Sequence, residues 1–131
     1  MAAFPLRQNR INTDLELKVR LKENSQDKIL KGEVSATVIN ISKGGACLVL
    51  PQILIDRTHL FFSTLRSDAH TTHTLVLEAS REAELELEFP IYAKSIWMDS
   101  NPHDSRVVFK VGIQFLAKQK ELYESLKKIK R

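Results

Sequence analysis

A single cysteine, Cys47, stands in a chain of 131 residues. No internal disulfide can form, and the fold does not depend on an oxidising compartment. No segment approaches the ~20 apolar residues of a membrane span, and the opening MAAFPLRQNR has no apolar run of signal-peptide length. A cytosolic protein is the expectation. Internal repeats, low-complexity tracts and linkers are missing as well. One domain is therefore expected, and a chain of this length can bury enough surface for its own core. A metal centre lacks its ligands. His70 and His73 are three apart, His59 and His103 are distant, and no cysteine or carboxylate cluster completes a set. Cys47 lies in the apolar run 46–50, which suits a buried inert thiol better than a nucleophile. Glu84, Glu86 and Glu88 alternate with apolar residues and describe a wet strand face.

What is present is an ordinary globular composition, 43% hydrophobic and 27% charged, with a net charge of +4. That charge is a mild preference for anions. Much of it lies at the C-terminus, where Lys118, Lys120, Lys127, Lys128, Lys130 and Arg131 meet only Glu121 and Glu124. Such a run fits a solvated helix face that complements the helix dipole.

The body of the chain alternates with a period of two. Leu15, Leu17, Val19 and Leu21 interleave with Glu16, Lys18, Arg20 and Lys22, the pattern of a strand with one dry face. Residues 28–33 are polar and include Gly32, so a turn is expected. Val34, Ala36, Val38 and Asn40 then alternate with Ser35, Thr37, Ile39 and Ile41, and 46–50 forms a short apolar strand before Pro51. Further strands are predicted over 74–79, over the alternating Leu85, Leu87 and Phe89, and over 91–98 after a break at Pro90. Residues 99–105, with Asn101-Pro102, read as a loop. Val107, Phe109, Val111, Ile113 and Phe115 share one face of a long strand. Within 53–72, Leu60-Phe61-Phe62 reads as a possible strand and 67–72 as a polar turn. Leu122, Tyr123, Leu126 and Ile129 follow helical spacing, which predicts a helix over about 117–130. Several antiparallel strands followed by one helix describe an all-β barrel with a C-terminal helix.

Two short stretches carry the binding chemistry. In Asn40-Ile41-Ser42-Lys43-Gly44-Gly45, the Asn and Ser side chains can bond nearby backbone, and the glycines allow positive φ and close backbone approach. A turn of this kind suits a flat or anionic ligand. Upstream, Arg7-Gln8-Asn9-Arg10 leads into the first strand. Downstream come Lys94-Ser95-Ile96-Trp97 and the strand Val111-Gly112-Ile113-Gln114-Phe115.

The order of these pieces resembles the PilZ domain, a bacterial receptor for cyclic di-GMP. The family's pattern is an Arg-x-x-x-Arg segment, an Asp/Asn-x-Ser-x-x-Gly motif and a late Gly-(apolar)-x-Phe strand. The resemblance covers the chain from Leu6 to the final helix. It implies a six-stranded antiparallel barrel (13–131) with a C-terminal α-helix, preceded by a flexible arginine segment (1–12). It implies a receptor that binds cyclic di-GMP through Arg7, Arg10, Asn40, Ser42, Gly44 and Gly45, with no catalytic residues, no metal and no other cofactor. The arginines would grip phosphate or the guanine O6/N7 edge, Asn40 and Ser42 would bond a guanine edge, and Gly45 would let the backbone approach. With no second domain, the output would pass to an unidentified protein partner as the arginine segment orders on the ligand.

One departure bears on the ligand. The family's arginines are four apart, whereas Arg7 and Arg10 are three apart and face opposite sides of a regular extended segment. A turn or bulge restores convergence; alternatively Arg10 keeps the second place and Leu6 takes the first, or the site no longer binds nucleotide. In that last case the chain is a ligand-independent interaction module. A single-strand nucleic-acid binder is disfavoured, because Phe89, Phe109 and Phe115 fall on apolar faces and only Phe61, Phe62 and Trp97 remain for a stacking platform.

Overall fold

The alternation around Leu17, Val19 and Leu21 becomes the longest wall of the fold. In the computed structural model, which describes residues 11–66, 71–79, 90–103 and 106–117 together with Glu124, strand β1 runs Ile11–Glu23 and buries these three side chains almost completely. A short β2 (Lys28–Ile29) folds back on its end, and β3 (Val34–Ile41) and β4 (Gly45–Leu50) form the next hairpin. The small hairpin of β5 (Leu54–Ile55) and β6 (Thr58–His59) leads into a helical turn, α1 (Leu60–Ser63). The strands β7 (His73–Ala79), β8 (Ile91–His103) and β9 (Arg106–Phe115) follow.

The sheet order is β2-β1-β3-β4-β9-β8-β7, and β7 returns to pair with β1. The strand pairings of this sheet are antiparallel; six of its strands close into a barrel, with β2 and the separate β5–β6 hairpin outside it. Closure pairs both edges of β1 and leaves open mainly the far part of β8, beyond its short pairing with β7. Leu21, Val38, Leu48, Leu50, Leu75, Leu77, Val111 and Ile113 fill the interior. The segment between β4 and β7 plugs one end with Ile55, Leu60 and Phe61. Asp56 fixes this plug to the barrel by accepting the Gly32 N–H at 2.8 Å. It sits with Arg57 in the β5–β6 turn, both at positive φ (49° and 67°).

Four expectations change. Leu60-Phe61-Phe62 forms helix, because the His59 imidazole caps the turn by accepting the Phe62 N–H at 3.2 Å and the Thr64 hydroxyl donates to the Leu60 carbonyl at 2.8 Å. Residues 99–103 extend β8 rather than forming a loop, since the β8–β9 ladder continues to His103↔Arg106. Pro102 is tolerated because β7 pairs with β8 only over Ile91–Ala93, leaving the far edge of β8 without a β7 partner. No described glycine has positive φ; Gly45 and Gly112 are required instead by close approach. The fourth change is in β3. Val38 and Ile41 are both 1% exposed although three apart, because the β3–β4 register shifts between Val38 and Asn40. This bulge at Ile39 sends Ile41 inward and Asn40 outward, opposite to strict alternation. The expected strand at Leu85–Phe89 lies outside the described residues, as does the expected helix over 117–130, apart from Ala117, which lies in a bend, and Glu124, which is helical.

Candidate functional site

Directly opposed residues in antiparallel strands share a face, and register therefore defines a row across five strands: Asn12, Asn40, Cys47, Gly112 and Trp97. Val111 and Ile113 point into the core, so the row lies on the outer face. Each irregularity of the barrel ladder touches it. The β1–β3 register shifts between Asn12 and Leu15, where the Thr13 hydroxyl accepts the Leu15 N–H at 3.2 Å. The second shift precedes Asn40. The third lies between Ser95 and Trp97. Ser95 is fully buried, and strict alternation would bury Trp97 beside it; the bulge at Ile96 instead leaves Trp97 40% exposed. Bulges are a common means of re-aiming side chains beside a site.

The row is low in the middle. The indole of Trp97 lies over Gly112, where any Cβ would collide with its Nε1, Cε2 and Cδ1 atoms. Cys47 is 6% exposed. Small residues thus form a shelf between the Asn40 amide and the indole. Gly112 is buried as well, so the accessible parts of the row are its Asn40 and Trp97 ends.

A second outer row adjoins the first: the Ser42–Gly45 turn, Gln114 and Lys94. The Ser42 N–H donates to the Gly45 carbonyl at 2.9 Å and its hydroxyl donates to the same oxygen at 3.4 Å. Ser42 is buried, so it shapes the turn. The Gly44 carbonyl accepts the Phe115 N–H at 2.8 Å. Gly45 is required by contact, since a Cβ there would meet the Ile113 carbonyl of β9. The turn is thereby pressed onto β9. The structure brings Asn40, Ser42, Gly44 and Gly45 together; Arg7 and Arg10 lie outside the described residues. Ile11, the residue after Arg10, pairs with Ile41 at the base of the turn.

Trp97, Gln114 and Lys94 join the face without having been picked out as site residues from the sequence. For Gln114 and Lys94 the only signal was their place on the outward parity of their strands. Trp97 had the wrong parity, and only the bulge turns it out. Among the described residues no group of three or more His, Cys, Asp or Glu side chains could hold a metal ion. No described helix is long and apolar enough to cross a membrane. The face offers amide donors and acceptors, a flat aromatic surface and an ammonium group, which together suit a nucleotide.

A scan against protein-family models and a search of curated proteins find no match. Solved structures do match. The apo form of MrkH from K. pneumoniae superposes with a TM-score of 0.53 at 14% identity over 92% of this chain. PlzA of Borreliella burgdorferi, in complex with c-di-GMP, gives 0.56 at 11% identity over 98%. The PilZ domain of Escherichia coli YcgR, with c-di-GMP, gives 0.52 at 12% over 94%. The chain spans about half the length of the first two, 47% and 53%, and is matched to 86% of the third. A closed six-stranded antiparallel barrel that superposes on these proteins along nearly its whole length has the fold of the PilZ domain.

Proposed function

We propose that this protein is a cyclic di-GMP receptor that binds its ligand on the outer face built by Asn40, the Ser42–Gly45 turn and Trp97. The observation that carries this reading is the pair of bulges that turn Asn40 and Trp97 outward onto one row of a PilZ-type barrel. Two structures with the same fold, PlzA and YcgR, hold c-di-GMP. Asn40 reads a guanine edge through its amide, the indole stacks on a purine, and the glycines let the backbone approach. Arg7 and Arg10 supply charge-assisted bonds to phosphate or to guanine O6/N7. Arg10 is one peptide bond from Ile11, whose partner Ile41 opens the turn. No bond is made or broken, and the protein acts as a receptor rather than an enzyme. The signal is the ordering of the arginine segment over the ligand, read by a protein partner. Of the expected 1–12 segment, Ile11 and Asn12 belong to β1.

Titration calorimetry with cyclic di-GMP tests this. Wild type binds saturably, and Arg10→Ala and Asn40→Ala each lose about 1.5–3 kcal/mol, roughly 10- to 150-fold in affinity. No heat and no rise in melting temperature with folded wild type would instead favour the ligand-independent interaction module, the reading suggested by the shortened arginine spacing.

A further inference from the structure

The bulge that turns Trp97 outward is held from behind. Ser95, immediately before it, is bound three times to the segment that follows α1. Its N–H donates to the Thr64 carbonyl at 2.9 Å, its carbonyl accepts the Arg66 N–H at 2.8 Å, and its hydroxyl lies 2.6 Å from that of Thr64. Both side chains are fully buried. The Thr64 hydroxyl spends its proton on the Leu60 carbonyl at 2.8 Å, so Ser95 is the donor within the hydroxyl pair. β7 pairs with β8 only up to Ala93. On that edge the Thr64–Arg66 segment takes over as the backbone partner of β8, through the parallel bridge Leu65↔Ser95.

We infer that Thr64 and Ser95 are positioning residues for the nucleotide face: they fix the β8 bulge, and through it the attitude of the Trp97 indole over Gly112. This rests on the ligand reading given above, and it goes further by making the α1 plug part of the binding apparatus. The plug and the outer face are two sides of one strand, joined at Ser95. A displacement of α1 moves the Trp97 backbone, and a ligand that immobilises the indole stiffens the Thr64–Arg66 segment, since coupling between two sites is reciprocal.

Trp97 is the only tryptophan, so its emission reports on the face with or without ligand. Three variants separate positioning from simple stability. Thr64→Val keeps the volume but removes the acceptor for Ser95. Ser95→Ala removes the donor and leaves Thr64 its bond to Leu60, so it orphans no buried donor if Thr64→Val fails to fold. Thr74→Val removes a comparable hydroxyl bond, to the Asn24 amide oxygen at 2.7 Å, away from the bulge. The expected result in the unliganded proteins is a red-shifted, more easily quenched Trp97 emission in Thr64→Val and Ser95→Ala and a wild-type spectrum in Thr74→Val. Affinity for cyclic di-GMP falls by roughly tenfold in the first two, within the usual range of site coupling. Unchanged emission in a folded Ser95→Ala, or an equal shift in Thr74→Val, overturns the inference. If wild type binds no nucleotide, the receptor reading fails, and the unliganded spectra alone decide the positioning role.

Discussion

The two sides of the barrel are built by different rules. On one side, β1 and β7 pair over seven successive residues, Leu17↔Ala79 to Glu23↔His73, without a register shift. The cations on its outer surface are matched: Arg20 bonds Glu33 and Glu78 at 2.8 Å each, Lys18 lies 3.7 Å from Glu33, and Lys22 lies 3.3 Å from Asp27 and over the Tyr92 ring. On the other side, β1, β3, β4, β9 and β8 meet through three register shifts, two close-approach glycines and a half-exposed tryptophan. A regular ladder maximises pairing and charge satisfaction. The irregular side departs from that ladder, and its departures converge on one row. Local rules tend to be broken where function requires it.

Glycine substitutions should break this contrast most strongly. Gly45→Ala drives a Cβ against the Ile113 carbonyl, a backbone atom that can yield only by moving β9. Thermal or urea unfolding should show a loss of about 2–3 kcal/mol. In Gly112→Ala the obstacle is the Trp97 side chain, which can rotate away. That variant should lose less stability, about 1–2 kcal/mol, while its tryptophan emission shifts to that of an exposed indole. Equal stability losses without an emission change would mean that the indole does not rest on Gly112.

The regular side should respond weakly. Arg20→Ala deletes both carboxylate contacts of a partly exposed guanidinium, and a loss of about 1 kcal/mol is expected, shrinking as salt is raised. It should leave tryptophan emission and nucleotide affinity unchanged. A large effect on either would erase the distinction between the two sides.

The smallest effect concerns the plug. Desolvation holds His59 below the usual histidine value of 6.5, and its Nδ1 must stay unprotonated to cap α1. The unfolded chain therefore takes up a proton before the folded protein does. The contribution of His59 is full above about pH 6.5 and is lost as pH falls through its folded value. His59→Asn keeps a capping acceptor that cannot titrate. Its melting temperature should fall less than that of wild type between pH 7.5 and pH 5.

Much of this was legible in the sequence, for physical reasons. Strict alternation in 15–21 and 107–115 located the long walls, and the order of Asn40, Ser42 and Gly45 before the late Gly112–Phe115 strand pointed to the fold. The bulges were not legible. Ile39 and Ile96 are β-branched apolar residues of the kind common in strands, so nothing in the local pattern marks the extra residue that reverses Asn40 and Trp97. Leu60-Phe61-Phe62 misled because three apolar residues fit either period, and the deciding bonds come from His59 and Thr64. Asn101-Pro102 carries turn chemistry, but β8 has an edge on that side that tolerates the proline.

The central claim is that the irregular side is a nucleotide face. Its most direct test is the emission of Trp97 during titration with cyclic di-GMP, in wild type and in Asn40→Ala. The account predicts a saturable change in wild type, with a midpoint that agrees with calorimetry and moves to at least roughly tenfold higher ligand in Asn40→Ala. Saturable heat with no change in Trp97 emission, or identical curves for the two proteins, would contradict it.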